Sequence, residues 1–200
     1  MTLPKPHPDP PADFGTVDLP ISRRSRRWFR AYRCHRTPLF FGNSGSSRFD
    51  DPRRTYRVLY VASTPEGAFV EGCLSDVGLG TTGPLLPERF LAARCLAEIS
   101  LATPLMLVDL TGIGLAAIRA DSRISSGDYR IAQRWSRAIW EHPRQPHGIL
   151  YSSRHNPNLL CAAIFDRAPT ATATKLGSFL SPGLVARTAM HLEKYGVGLV

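Results

Sequence analysis

The chain reads as a single α+β domain. Apolar runs of strand length are interspersed with helical patterns, but the two do not alternate as a doubly wound parallel sheet requires. No Gly-x-Gly-x-x-Gly or P-loop follows a strand, which weakens dinucleotide-fold and NTPase readings. A length of 200 residues with 43% hydrophobic content suits one core.

The elements follow in order. Residues 1–22 hold six prolines and no apolar core, so they read as a flexible Pro-rich arm before a domain over 23–200. A first strand is expected over 28–36, where Trp28, Arg30 and Tyr32 alternate with Phe29, Ala31 and Arg33. Residues 42–55, rich in Gly, Ser, Asn, Asp and Pro, form a long loop. The run 57–62 is apolar on both faces and reads as an internal strand. Thr64 suits an N-cap and Pro65 the first helical position, which starts a helix over about 65–75. A glycine-containing loop over 76–86 follows, then a helix from Pro87 to Glu98, with Phe90, Leu91, Arg94 and Cys95 at helical spacing. Residues 105–110 read as a buried strand. Asp128 caps an amphipathic helix to Glu141, with Ile131, Trp135 and Ile139 every fourth residue. Strands over 148–152 and 159–165, a helix over 183–194 and an edge strand at Val197–Val200 complete the chain.

Composition narrows the function classes. No run approaches the roughly 18–20 apolar residues that span a bilayer, and no signal peptide is visible, so a cytoplasmic location and no membrane partner are expected. Cys34, Cys73, Cys95 and Cys161 are scattered without a Cys-x-x-Cys pair, which argues against a metal site and for buried reduced thiols. The net charge is +9, with Arg23, Arg24, Arg26, Arg27, Arg30, Arg33 and Arg36 clustered around Trp28, Phe29 and Tyr32. Such a stretch is either a solvated flank or a docking surface for a polyanion or acidic protein; direct nucleic-acid binding does not follow from it.

Glu71 is the one charge in the run from Gly67 to Leu74. Its helical neighbours at three and four residues, Gly67, Ala68, Leu74 and Ser75, include no basic residue. It is therefore either a solvent-facing helical glutamate or a carboxylate kept free for chemistry beside small residues that a ligand can approach.

Four ordered segments favour the second reading: Tyr32-Arg33-Cys34-His35, Gly45-Ser46-Ser47-Arg48-Phe49-Asp50, the stretch Leu59 to Glu71, and Gly148-Ile149-Leu150-Tyr151-Ser152-Ser153-Arg154. In this order they resemble the RES-domain family, over residues 32 to about 166. Two departures stand in the second segment, Ser46-Ser47 in place of a second glycine and Asp50 where asparagine is frequent. In the fourth, Ser152 and Ser153 compete as the family serine, and the Tyr-x-Ser-Arg spacing selects Ser153.

The resemblance implies an ADP-ribosyltransferase-like mixed sheet with surrounding helices, and NAD as substrate rather than as a resident cofactor. It further implies an NAD-degrading toxin, acting by phosphorolysis with inorganic phosphate as co-substrate or by hydrolysis, and neutralised by a cognate Xre-type antitoxin. Some members instead pass ADP-ribose to a macromolecule, and a non-catalytic basic binding module is a further alternative. Breaking the nicotinamide–ribose bond develops positive charge on the sugar, while the leaving group departs neutral and needs no acid. That chemistry asks for an anion near the ribose and a grip on the diphosphate. Glu71 is the expected catalytic carboxylate, and the planar forks of Arg33 and Arg48 suit diphosphate oxygens. Tyr60 is expected at the nicotinamide ring or a ribose hydroxyl, and Ser153 at the amide or a ribose hydroxyl; His35 and Tyr151 are secondary candidates.

Overall fold

The computed structural model describes residues 7–24, 26–75, 77 and 83–200. Its strands are β1 (Ile21–Arg24), β2 (Arg27–Arg33), β3 (Val58–Ala62), β4 (Leu85–Leu86), β5 (Arg94–Leu101), β6 (Leu105–Asp109), β7 (Gly148–Ser152), β8 (Leu160–Phe165), β9 (Ala171–Ser178) and β10 (Gly198–Leu199). The α-helices are α1 (Pro65–Phe69), α2 (Glu88–Ala92), α3 (Ile113–Ala117), α4 (Arg123–Ser126), α5 (Tyr129–Glu141) and α6 (Val185–Lys194). Eight strands form one mixed sheet in the order β1-β6-β7-β8-β3-β2-β5-β9, with β6/β7 parallel and the other neighbours antiparallel. The fold class is thus α+β, as expected. Among the described residues no helix is long and apolar enough to cross a membrane.

The sheet has to curl. Only Ala102, Thr103 and Pro104 separate β5 from β6, which stand five positions apart in the strand order. Five flat strand spacings amount to about 24 Å, whereas that link spans about 14 Å at most. The concave face closes on itself around Trp28, Leu59, Ile99, Leu105, Leu150 and Ile164. Helices cover the convex face, where Phe69, Val70, Trp135, Ile139 and Leu192 pack on Val58, Ile149, Ala163 and Phe165.

Several expectations need correction. The helix foreseen over 87–98 ends at Ala92, and the rest becomes β5, an internal strand. Cys95, Ala97, Ile99 and Leu101 share its concave face, and this two-residue period prevails over the helical spacing of Phe90, Leu91, Arg94 and Cys95. Residues 7–22 are not a loose arm: Phe14 meets the Trp135 ring edge-on at 5.4 Å, Trp135 Nε1 donates to the Pro8 carbonyl at 3.0 Å, and β1 pairs with β6 across the expected boundary. Residues 1–6, and most of the loop foreseen over 76–86, lie outside the described residues. Cys34 and Cys95, expected as thiols, are joined in a disulfide, because Cys34 leaves β2 beside its neighbour β5 with a Cα–Cα distance of 5.0 Å. Cys73 and Cys161 are buried free thiols.

The element that positions the candidate site begins at Thr64, whose Oγ1 accepts from the Gly67 N–H at 3.0 Å and caps α1. Past Phe69 the helix widens into a π-helical turn over Val70–Leu74, a local geometry that recurs at functional sites. This turn lies directly on β2. A Cβ placed on Gly72 would stand 2.3 Å from the Ala31 Cβ, so any larger residue has to push the turn outward. Gly72→Ala is therefore expected to destabilise the protein by about 1–3 kcal/mol through overpacking, against the gain of about 1 kcal/mol that alanine ordinarily brings to a helix. Urea unfolding followed by circular dichroism reads the sign.

Candidate functional site

Among the described residues β2 and β3 pair only at Phe29 and Ala62 and then part. A cleft of about 450 Å³ fills the gap, within the usual range for small-molecule sites. Backbone and side chains of Phe29–Ala31 and Tyr60–Ala62 form its floor, and the α1 and π-turn segment contributes Ala68, Glu71, Gly72 and Ser75.

Glu71 points into this cleft from the π turn. Ser153 Oγ donates to its Oε1 at 2.6 Å and the Tyr151 hydroxyl donates to its Oε2 at 3.3 Å. The pair comes from the end of β7, where alternation turns Tyr151 and Ser153 to the same face. Both hydroxyls donate to the carboxyl oxygens, which fixes the group's plane and leaves further lone pairs for a ligand. Glu71 is half-buried, its carboxylate is held by two hydroxyls, and it forms no ion pair among the described residues.

Arg48 lines the same cleft. Its side chain is buried, its guanidinium carbon lies 4.4 Å from the centroid of the Tyr129 ring, and Nη1 donates to the Gly127 carbonyl at 2.9 Å. Nη2 is also buried and has no partner among the described residues. Burial holds this guanidinium below its ordinary pKa, with the Arg154 charge acting in the same direction and Tyr129, Tyr151 and Glu71 opposing. An unsatisfied buried cationic donor costs about 1–3 kcal/mol or more, which a ligand oxyanion would recover. Ser125 Oγ, on the same cleft, is a second buried orphan.

The loop carrying Arg48 is held by Asp50, whose Oδ2 accepts from Ser44 Oγ and from the Gly45 and Ser47 N–H groups at 2.8–3.2 Å. Its Oδ1 accepts from the Tyr60 hydroxyl at 3.0 Å, while the Phe49 N–H donates to that hydroxyl at 2.9 Å. Gln133 on α5 donates to the Gly45 and Ser47 carbonyls, both at 3.0 Å. Tyr60 accordingly offers the cleft its ring, because its hydroxyl is engaged in bracing the loop.

Glu71, Arg48, Tyr60 and Tyr151 thus line one cleft, with Ser153 behind the carboxylate it holds. Arg33 and His35 are not among the lining residues. Both are exposed, Arg33 at the far end of β2 and His35 in the turn beyond it. Arg154, Ser125 and Tyr129 also line the cleft, and none of them is expected there from sequence alone. Arg154 was within reach, since it completes the fourth segment; its Nη2 donates to the Ser75 carbonyl at 2.6 Å and closes the rim. Ser125 and Tyr129 flank a break between two helices and carry no local signal.

A model of the RES domain matches residues 26–179. The chain belongs to the RES-domain family. Over 73 residues the RES domain is 36% identical to the probable toxin y4kH of Sinorhizobium fredii (strain NBRC 101917 / NGR234), an alignment covering 36% of this chain and 57% of that protein. The chain therefore spans little more than half the length of this curated relative. Its fold is similar to a chain in the crystal structure of the M. tuberculosis MbcT–MbcA toxin–antitoxin complex, with a TM-score of 0.59 and 17% identity over 86% of this chain and 90% of that one.

Burial pushes the phenols of Tyr60 and Tyr151 well up, reinforced by the charges of Asp50 and Glu71 respectively. Above a pH of about 10 the unfolded chain loses these protons while the folded chain keeps them. Their contribution is therefore complete below about pH 10 and declines above it. Urea midpoints measured from about pH 8 to about pH 11 should fall over the upper part of that range, and less steeply in Tyr151→Phe.

Proposed function

We propose that this RES domain consumes NAD by cleaving the nicotinamide–ribose bond, with inorganic phosphate or water as acceptor. We further propose that it acts in the cytoplasm as the toxin of a toxin–antitoxin pair. The bipolar cleft carries the reading: a carboxylate oriented by two hydroxyl donors shares it with a buried guanidinium whose Nη2 has no partner among the described residues. NAD has the matching polarity, with a pyridinium-bearing ribose at one end and a diphosphate beside it. Glu71 accepts from ribose hydroxyls and stabilises the positive charge that grows as the C1″–N bond lengthens. Arg48 holds a diphosphate oxygen, and the Tyr60 ring packs beside the nicotinamide.

The bond's electron pair leaves with nicotinamide, which departs neutral. A phosphate oxygen then bonds to C1″ to give ADP-ribose-1″-phosphate; with water the product is ADP-ribose and a proton is released. The relation to a toxin–antitoxin complex in fold, and to a probable toxin in sequence, supports the toxin role and a protein antitoxin as partner.

Purified full-length chain incubated with NAD, with and without phosphate, should release nicotinamide together with one of these two products, resolved by chromatography and mass spectrometry. Glu71→Gln should slow release at least about 100-fold, equivalent to about 3 kcal/mol of transition-state stabilisation. Intact NAD after incubation with the wild-type chain would overturn the proposal. Adenylate label carried onto a macromolecule would reassign the activity as ADP-ribosyl transfer.

A further inference from the structure

The family match ends at residue 179, and α6 lies wholly beyond it. Even so, α6 joins the two segments that place the carboxylate and its serine. The helix stops at Gly196, which adopts a φ of +63° that glycine tolerates best. The Gly196 N–H donates to the Glu193 carbonyl at 3.0 Å and the Val197 N–H to the Leu192 carbonyl at 2.9 Å, the paired bonds of a Schellman ending. This ending fixes the position of Tyr195.

The Tyr195 hydroxyl donates to Glu66 Oε1 at 2.7 Å and accepts from Asn156 Nδ2 at 2.9 Å. Glu66 sits in the first turn of α1, five residues before Glu71. Asn156 lies three residues after Ser153 and organises the turn there: its Oδ1 accepts from the Asn158 N–H at 3.2 Å, and its carbonyl from the Leu159 N–H at 2.9 Å. One phenol therefore bridges the start of the Glu71 helix to the loop that follows Ser153. Lys194 Nζ lies 2.7 Å from the same Glu66 oxygen, and the His191 ring packs 5.3 Å from Phe69 of α1, so the last turn of α6 meets α1 at both of its ends.

We infer that α6 clamps the cleft, with Tyr195 as a positioning residue that sets the Ser153–Arg154 loop against Glu71. Its consequence for turnover rests on the NAD-cleaving reading; its structural part does not. The 2.6 Å bond from Ser153 to Glu71 joins two separately folded segments, and the Tyr195 bridge fixes their relative position. Loosening that bridge lets the carboxylate lose its orientation without removing any group that touches substrate.

Tyr195→Phe, made in the full chain, keeps the ring and removes both hydrogen bonds. The Leu159 and Ser153 amides should then exchange with solvent about tenfold faster, while amides of β3 and α5 stay unchanged. In the NAD assay kcat should fall about tenfold with KM nearly constant, because Arg48 and Tyr60 are untouched. Asn156→Ala, which also removes the bond from the Asn158 N–H, should lose at least as much, and the double variant no more than Asn156→Ala alone. Unchanged loop exchange in Tyr195→Phe, or fully additive losses in the double variant, would overturn the inference. Wild-type kcat in Tyr195→Phe would overturn its catalytic part. Should the wild-type chain leave NAD intact, only the functional reading fails, and amide exchange alone decides the clamp.

Discussion

The backbone of the π turn can rest on β2 only because residue 72 has no side chain to hold it away from Ala31. This contact sets the height of Glu71 over the gap between β2 and β3. Once that height is fixed, hydroxyls from Tyr151 and Ser153 reach the two carboxylate oxygens, and neither oxygen needs a cation from its own helix. The wider π geometry turns a side chain that a regular helix would place elsewhere toward the partner strands. Packing at one glycine thus becomes orientation at one charge.

Charge is divided across the cleft rather than neutralised within it. Arg48 is held by a carbonyl and an aromatic face, neither of which cancels its charge, and its Nη2 has no partner among the described residues. Three of the arginines that dominate the sequence from 23 to 36 have partners of their own, although Arg30 also borders the cleft. Arg24 lies 3.5 Å from Asp109 and Arg27 2.7 Å from Glu98, while Arg30 donates to the Pro38 and Phe40 carbonyls. Density of positive charge in a sequence therefore locates the cleft less well than the burial of Arg48 beside Glu71 and Tyr129.

What the sequence made legible was local. Thr64 and Pro65 start a helix by capping and φ preference, β3 is apolar on both faces because it is internal, and Asp128 caps α5 through the Arg130 N–H. Glu71, Tyr151 and Ser153 sit in segments whose pattern already marked them, although nothing local could say that the hydroxyls bond the carboxylate. β5 is hidden because Cys95, Leu96 and Ala97 are apolar on both faces and follow a helix start, which obscures the alternation. β1 and β9 went unforeseen because β1 carries a single apolar residue and β9 is small and polar, and both take their pairing from partners remote in sequence. Arg33 and Arg48 look alike as residues. Burial against Tyr129, a contact across 81 positions, is what separates them.

The separation between Glu71 and its serine, 82 positions, has a kinetic corollary. Ser153 follows β7, which reaches β3 only through β8, and contacts between segments so far apart in sequence are slow to form. The oriented carboxylate is accordingly a property of the completed sheet, since without that pairing Glu71 lacks both hydroxyl donors.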